Sequence, residues 1–280
     1  MEPIKNSQLY TFIDNDKKFA LYFLEGQKLI HDLILTQNLR QKEFNYFRSS
    51  ILSIQLMLGL LKTGELFCVY IDSEVPYFRL KMELNAMGLM RGMIYSDALE
   101  TAPDTITGKL RLLKFLPSSK MPYQSIIELD QVGMNEVINL VLSRSYQVNS
   151  RIFVSDESDQ SFMLNQLPLT EKEQRADLDQ TFKQYAGPLN DLMKKGLTDK
   201  KALIAEMAKV GFKFLAGKAV EFKCGCSKEQ MIENVKRFAA SSEEVVFLPG
   251  QDTIEVVCEY CKAVYLISRK DIETSPSDYQ

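Results

Sequence analysis

Four of the chain's five cysteines fall in two tight pairs, Cys224-Gly225-Cys226 and Cys258-Glu259-Tyr260-Cys261. A C-x-C pair, 31 intervening residues and a C-x-x-C pair can bring four thiolates around one tetrahedral Zn2+, each sulfur about 2.3 Å from the ion. Thiolates are soft donors that suit zinc, whereas magnesium and calcium favour carboxylate oxygens. The one histidine, His31, is remote in sequence, so the set is all sulfur. The same residues admit other chemistry. C-x-x-C is also a thiol–disulfide motif, four thiolates can hold an iron–sulfur centre, and cysteines can be small buried hydrophobes. Two pairs this tight argue against the last reading. Spacing leaves a structural zinc knuckle and a redox-active site both open.

Cys258 and Cys261 sit between two strand-like runs, Thr253 to Val257 and Ala263 to Ile267, the arrangement by which a β-knuckle presents two ligands. A unit of about 60 residues is poorly supported by apolar burial alone, so a metal would supply much of its folding free energy. The fifth cysteine, Cys68, lies inside the apolar run Leu66 to Ile71 and is expected in a core. His31 stands on a predicted helix beside Leu29, Ile30 and Leu33, with no nucleophile–base set around it.

The remaining chain is long enough for more than one unit. It has 280 residues, 45% apolar and 25% charged, with a net charge of −3. That is a globular composition, and it argues against a surface built wholly for nucleic acid. Leu9 to Ile13 and Phe19 to Leu24 predict a hairpin turning at Asp14-Asn15-Asp16. Gln27 to Gln37 predicts a helix with Leu29, Ile30, Leu33 and Ile34 on one side, and Gln41 to Leu61 a longer one. Phe78, Leu80, Met82 and Leu84 alternate with Arg79, Lys81 and Glu83, as in a strand with one wet face. Further strands are predicted at Leu66 to Ile71, up to Tyr95, and at Ser125 to Leu129, Arg151 to Val154 and Phe162 to Leu164, with a helix over Met134 to Leu142.

The order of elements is mixed α/β (α+β), without regular βαβ alternation, and residues 1–170 are expected to form this N-terminal core. Residues 171–220 carry ten basic and seven acidic residues and read as helical throughout, broken at Gly187-Pro188 and Gly196. Leu178, Phe182, Tyr185, Leu189, Leu192 and Met193 make one apolar stripe, and Leu203, Ile204, Met207 and Val210 another. A plain linker carries no such stripes, so this segment must pack on something or expose a sticky face. Residues 221–280 form a small C-terminal unit. The apolar run Ile51 to Leu61 is too short to cross a membrane, and the N-terminus has no secretory pattern. The cytoplasm is the expected compartment, where thiols stay reduced.

At the cysteines the sequence resembles the Hsp33 family of redox-regulated chaperones. Cys224-Gly225-Cys226-Ser227 followed by Lys228-Glu229, and Cys258-Glu259-Tyr260-Cys261 followed by Tyr265, Ser268 and Asp271, match that family's C-terminal module. Met90-Arg91-Gly92, Ser145-Tyr146-Gln147 and Phe162 to Pro168 match its N-terminal segments more loosely. The resemblance implies one Zn2+ per chain on Cys224, Cys226, Cys258 and Cys261 in the reduced state, and disulfides Cys224–Cys226 and Cys258–Cys261 after oxidation. It makes 171–220 a metastable linker and 221–280 a redox-switch domain. It also implies a homodimer when oxidised, unfolding client proteins as partners, and no enzymatic activity. The chain departs from the family at Ser73-Glu74-Val75-Pro76 and at Gln160-Ser161, where glycines are usual, and over Glu243 to Asp252.

Two other function classes fit the residues. One is a constitutive zinc-stabilised module that binds RNA or a protein, its nucleic-acid support limited to Lys194-Lys195 and Lys200-Lys201. The other is a thiol–disulfide oxidoreductase, weakened because neither pair has the βαβ context of a thioredoxin-like motif. No G-x-x-x-x-G-K-[ST] loop for ATP is present,.

Overall fold

The computed structural model describes residues 4–37, 39, 41–96, 104–168, 178–241 and 246–273. Its contacts divide the chain into two units, Met1–Phe222 and Lys223–Gln280. The first unit opens with the predicted hairpin, strands β1 (Gln8–Asp14) and β2 (Phe19–Glu25) pairing antiparallel. Asp14 closes its turn by accepting the backbone N–H groups of Lys18 at 2.7 Å and Phe19 at 2.8 Å,. Helices α1 (Gln27–Thr36) and α2 (Gln41–Ile54) follow, the second tightening into a 3-10 segment over Gln55–Leu60. Next come β3 (Leu66–Val75), β4 (Tyr77–Asn85), β5 (Leu89–Ser96), β6 (Thr105–Phe115) and β7 (Tyr123–Gly133). A short helix α3 (Val137–Val141) leads to β8 (Ser150–Val154) and β9 (Gln160–Gln166). The unit ends with α4 (Leu178–Lys194), α5 (Lys200–Val210), β10 (Phe212–Ala219) and β11 (Glu221–Phe222).

These strands form a five-stranded sheet, order β10-β1-β2-β9-β8, and a six-stranded sheet, order β11-β5-β4-β3-β6-β7. The six-stranded sheet is one-sided. Phe78, Leu80, Met82 and Leu84 of β4 are buried, and the alternate Arg79, Lys81 and Glu83 face outward, where Glu83 pairs with Lys81 and Arg91. The five-stranded sheet is covered on both faces. Leu9, Leu24 and Met163 join the core shared with α1, α2 and the six-stranded sheet. Tyr10, Phe12, Leu21, Phe23, Phe162 and Leu164, from the same strands, pack beneath Leu189, Leu192, Met193, Leu203 and Met207 of α4 and α5. Double coverage is why β2 reads Phe-Ala-Leu-Tyr-Phe-Leu-Glu with almost no polar position,.

Where the chain returns from β10 to β11 it passes Gly88, whose φ is +92° and where a Cβ would stand 2.7 Å from the Ala219 carbonyl,. The β3–β4 turn has no glycine and is held by the Ser73 hydroxyl, which donates to the Pro76 carbonyl at 2.6 Å.

Several expectations need correcting. Residues 171–220 are not helical throughout. Residues 171–177, and the side chain of the stripe residue Leu178, lie outside the described residues, and Phe212–Ala219 is strand β10, paired antiparallel with β1. Gly211, at φ +100°, stops α5, and the alternation of Phe212 and Phe214 then fits a sheet edge better than a helix,. Gly187-Pro188 does not break α4, although a proline inside a helix costs about 3 kcal/mol. The docked stripe holds the helix across it. Strand β6 was not among the predicted strands. The Met134–Leu142 helix is a 3-10 turn, then α3, then a π segment over Leu142–Tyr146. Ile34 turns away from its predicted face and is 58% exposed.

Glu25 ends β2 with its side chain buried. Burial pushes its carboxyl up to about 7, against the Gln27 N–H that donates to it at 3.1 Å and with some help from Asp159. In the unfolded chain it would ionise near 4.5. A pKa raised by folding gives stability that is complete below the unfolded value and lost as pH climbs through the folded one. The melting temperature should therefore fall from about pH 4.5 to just above pH 7,, and Glu25→Gln should flatten that slope. An unchanged slope in the variant would rule out Glu25 as its source.

Candidate metal centre

The second unit contains helix α6 (Lys228–Ser241), strands β12 (Thr253–Val257) and β13 (Val264–Ser268), and a short helix α7 (Arg269–Glu273). Its apolar core is very small. Among the described residues, the buried apolar positions of this unit are Val235, Phe247, Cys258 and Ile267. Four such side chains cannot offset the ordering of a unit this long, so something other than hydrophobic burial must close it.

The two cysteine pairs are presented by different local devices. Ser227 opens α6, its hydroxyl accepting the Gln230 N–H at 3.3 Å and its carbonyl the Met231 N–H at 3.1 Å,. That cap fixes the chain direction just after Cys224 and Cys226. Cys258 and Cys261 occupy the turn between β12 and β13, as the strand-like runs predict. The Cys258 N–H donates to the Ala263 carbonyl at 2.9 Å, and the Cys258 carbonyl accepts the Lys262 N–H at 2.7 Å. Lys262 takes the left-handed conformation, φ 58°, that so tight a turn demands. An ion pair between Lys228 and Asp271 at 3.1 Å ties the start of α6 to the start of α7. The Ser268 backbone N–H and hydroxyl, with Lys228, hold the Asp271 carboxyl below the usual carboxylate range.

The four sulfurs converge. All lie within 4.8 Å of one another, with Cys224 to Cys258 at 3.7 Å and Cys226 to Cys261 at 3.3 Å. Sulfurs tetrahedrally placed about 2.3 Å from one ion stand about 3.8 Å apart. The donor set is entirely sulfur, with no carboxylate in the cluster, so it fits a thiophilic divalent ion. The shortest approaches run across the two pairs. Proximity alone therefore does not select the within-pair disulfides that the resemblance implies.

The cysteines of the cluster differ in how firmly each holds its proton. Burial raises Cys224, and raises Cys261 to about 12. Burial also opposes the Cys226 thiolate, but hydrogen bonds from Tyr265 and the other cysteines outweigh it and bring Cys226 down to about 7. The Tyr265 hydroxyl lies 3.0 Å from Cys226 Sγ and 3.2 Å from the Cys226 carbonyl oxygen.

Other side chains singled out by sequence stay outside the cluster. Cys68 is buried in β3, its thiol pushed up to about 12 by burial. His31 is on α1, its Nδ1 3.5 Å from Asp32 Oδ1. Lys194, Lys195, Lys200 and Lys201 are solvated, Lys194 pairing with Glu157 and Lys195 with Glu206. Met90, in the segment that resembles the family, is in the core. No described helix is long and apolar enough to cross a membrane. Sequence reasoning assigned no role to Lys228, Asp271 or the Tyr265 hydroxyl. Their only signal was their place beside the cysteine pairs.

A family model described as Hsp33 protein matches residues 7–268. The chain belongs to the Hsp33 family. A 33 kDa chaperonin of Citrifermentans bemidjiense is 26% identical over 235 residues, covering 78% of this chain and 79% of the relative. A 33 kDa chaperonin of Aquifex aeolicus is 22% identical, covering 80% and 75%. The crystal structure of a Thermotoga maritima 33 kDa chaperonin, a heat shock protein 33 homologue, superposes with a TM-score of 0.70. That alignment covers 96% of this chain and 97% of the other at 15% identity, so it speaks to the fold. An Hsp33 chain with a cysteine cluster able to hold a metal is consistent with a redox-regulated chaperone.

The sulfur cluster predicts uptake of one thiophilic divalent ion per reduced chain. Elemental analysis of Cys68→Ser should still return about one equivalent, and Cys258→Ser should lose most of it. Full occupancy in Cys258→Ser would remove the cluster as the binding site.

Proposed function

We propose that this Hsp33-family protein is an ATP-independent holdase that captures unfolding proteins once its zinc-bound cysteines are oxidised. The reading is carried by one observation: four thiols from two distant segments meet in a metal-sized cluster inside a unit with almost no other core. The proposed ligands and redox residues are Cys224, Cys226, Cys258 and Cys261. When bound, Zn2+ would hold the four sulfurs as thiolates and add its binding free energy to the fold.

The steps then belong to the chain. One peroxide per pair removes two electrons, its O–O bond breaking and two protons being taken up to give two waters, and leaves Cys224–Cys226 and Cys258–Cys261, a pairing taken from the family resemblance. Disulfide sulfur is a poor ligand, and crosslinks closing such short loops restore little stability. The 221–280 switch domain loosens. One residue, Lys223, separates Cys224 from the last strand of the first unit, so disorder there reaches the 171–220 segment through the chain itself. That segment is weak on its own account. Helix α4 carries Gly187 and Pro188, worth about 1 and 3 kcal/mol against a helix, and persists through docking of Leu189, Leu192 and Met193. Lifting it uncovers the aromatic face of the 1–170 core as a surface for clients. The protein would act in the cytoplasm, the oxidised form as a homodimer. It carries out no catalysis, and neither a membrane nor a nucleic acid has a part in it.

The primary test follows zinc content and light scattering from a thermally unfolding client in the same samples. Peroxide or hypochlorite should release about one zinc per chain and turn on aggregation suppression together. Zinc retained under oxidant, with binding to a partner unaffected, would favour a constitutive zinc-stabilised module instead. Turnover of small disulfides would favour an oxidoreductase.

A second test bypasses the cysteines. Charged residues in place of Phe182 and Leu189 should weaken docking of α4, since burying a side chain like Leu189 stabilises by roughly 1.5–3 kcal/mol. The reduced, zinc-loaded variant is expected to suppress aggregation well above wild type. If it stays as inactive as reduced wild type while its oxidised form is fully active, α4 docking is not the gate.

A further inference from the structure

The Tyr265 hydroxyl has one proton and two acceptors within reach, Cys226 Sγ at 3.0 Å and the Cys226 carbonyl oxygen at 3.2 Å. Which acceptor it serves depends on the sulfur. A Cys226 thiol can donate its own proton to the tyrosine oxygen, leaving the hydroxyl free to donate to the carbonyl. A thiolate has no proton to give. A hydroxyl still turned to the carbonyl would then aim its lone pairs at a negative sulfur, so the stable arrangement turns the O–H onto the thiolate. Disulfide sulfur is a feeble acceptor, and the carbonyl regains the proton. The ring is anchored for this role. Tyr265 stands on β13, paired with Val256 of β12, the strand that leads into Cys258. One residue thus bridges the two cysteine segments.

We propose that Tyr265 is a positioning residue of the sulfur centre, its hydroxyl donating to the Cys226 thiolate in the metal-bound state and withdrawing to the carbonyl on oxidation. This rests on the metal-centre reading above. It means the reduced state of Cys226 has a hydrogen bond that its oxidised state lacks. The oxidation is balanced: a peroxide takes two electrons from Cys226 and a second cluster thiolate, one S–S bond forms, the O–O bond breaks, and two protons are taken up to give two waters. Tyr265 supplies neither electrons nor a net proton. It biases the two ends of the reaction.

The test is Tyr265→Phe in the full chain, which keeps the ring and removes the donor. Cobalt(II) added to the reduced protein gives a sulfur-to-metal charge-transfer band. A hydrogen bond to the thiolate holds that band at higher energy, so the variant is expected to absorb at longer wavelength with unchanged tetrahedral d–d bands. Zinc affinity by chelator competition should fall about tenfold, the lower end of what loss of such an outer partner costs. Peroxide-driven zinc release should be faster. A charge-transfer band and a zinc affinity both equal to wild type would overturn the role of Tyr265 while leaving the metal centre standing. Failure of the wild-type chain to bind cobalt at all would overturn the centre and this role with it. A variant that is merely misfolded would lose the tetrahedral d–d bands. Hydrogen exchange on β12 and β13 would then decide the question in the zinc-loaded wild type, where a slowly exchanging Tyr265 hydroxyl proton is expected and a freely exchanging one would refute the hydrogen bond.

Discussion

The second unit is closed by sulfur and not by oil. With Val235, Phe247, Cys258 and Ile267 as its buried apolar positions among the described residues, it has no hydrophobic reserve from which to survive loss of the cysteine cluster. Everything else in the proposed behaviour depends on that poverty. A unit with a generous core would keep its shape when its thiols were oxidised, and the chemistry would have no mechanical consequence. Here the capped start of α6, the tight turn after Cys258 and the Lys228–Asp271 pair aim the two cysteine pairs, but none of them supplies the missing apolar core.

The first unit shows the opposite economy. Its two sheets and helices α1 and α2 enclose a large continuous core with no paired cysteine in it. Helices α4 and α5 cover a second, smaller cluster on the far face of the five-stranded sheet. The helices are held by that contact more than by their own sequence, since α4 contains both a glycine and a proline,. Apolar burial is thus graded along the chain, from a large sheet core, through docked helices, to a unit with few buried apolar side chains among the described residues,.

Much of this was legible in the sequence because the signals were local. The alternation from Phe78 to Leu84, the Asp14 turn and the strands flanking Cys258 each follow from a period or a turn residue read within ten positions. The cysteine spacing pointed to the four sulfurs that meet, while leaving a zinc knuckle and a redox-active site both open. What escaped was decided by distant partners. The run Phe212 to Ala219 has little strand character beyond Phe212 and Phe214, and it is a strand because β1 offers an edge in register. Helix α4 runs through Pro188 because an aromatic sheet face lies under it. Tyr265 was visible as a family residue, but its two acceptors belong to a segment 39 residues away, which no spacing rule reports.

The face beneath α4 and α5 is already a finished surface. Phe12, Leu21, Phe23, Phe162 and Leu164 are fixed by strands hydrogen-bonded on both sides, and lifting the helices would leave those strands paired. A surface that must first fold carries the delay of a conformational search, microseconds for a hairpin and far more for a sheet of distant strands. One that is only unveiled carries no such lag. Readiness would then be limited by how fast a cover departs, and resetting by how fast it returns to an unaltered template.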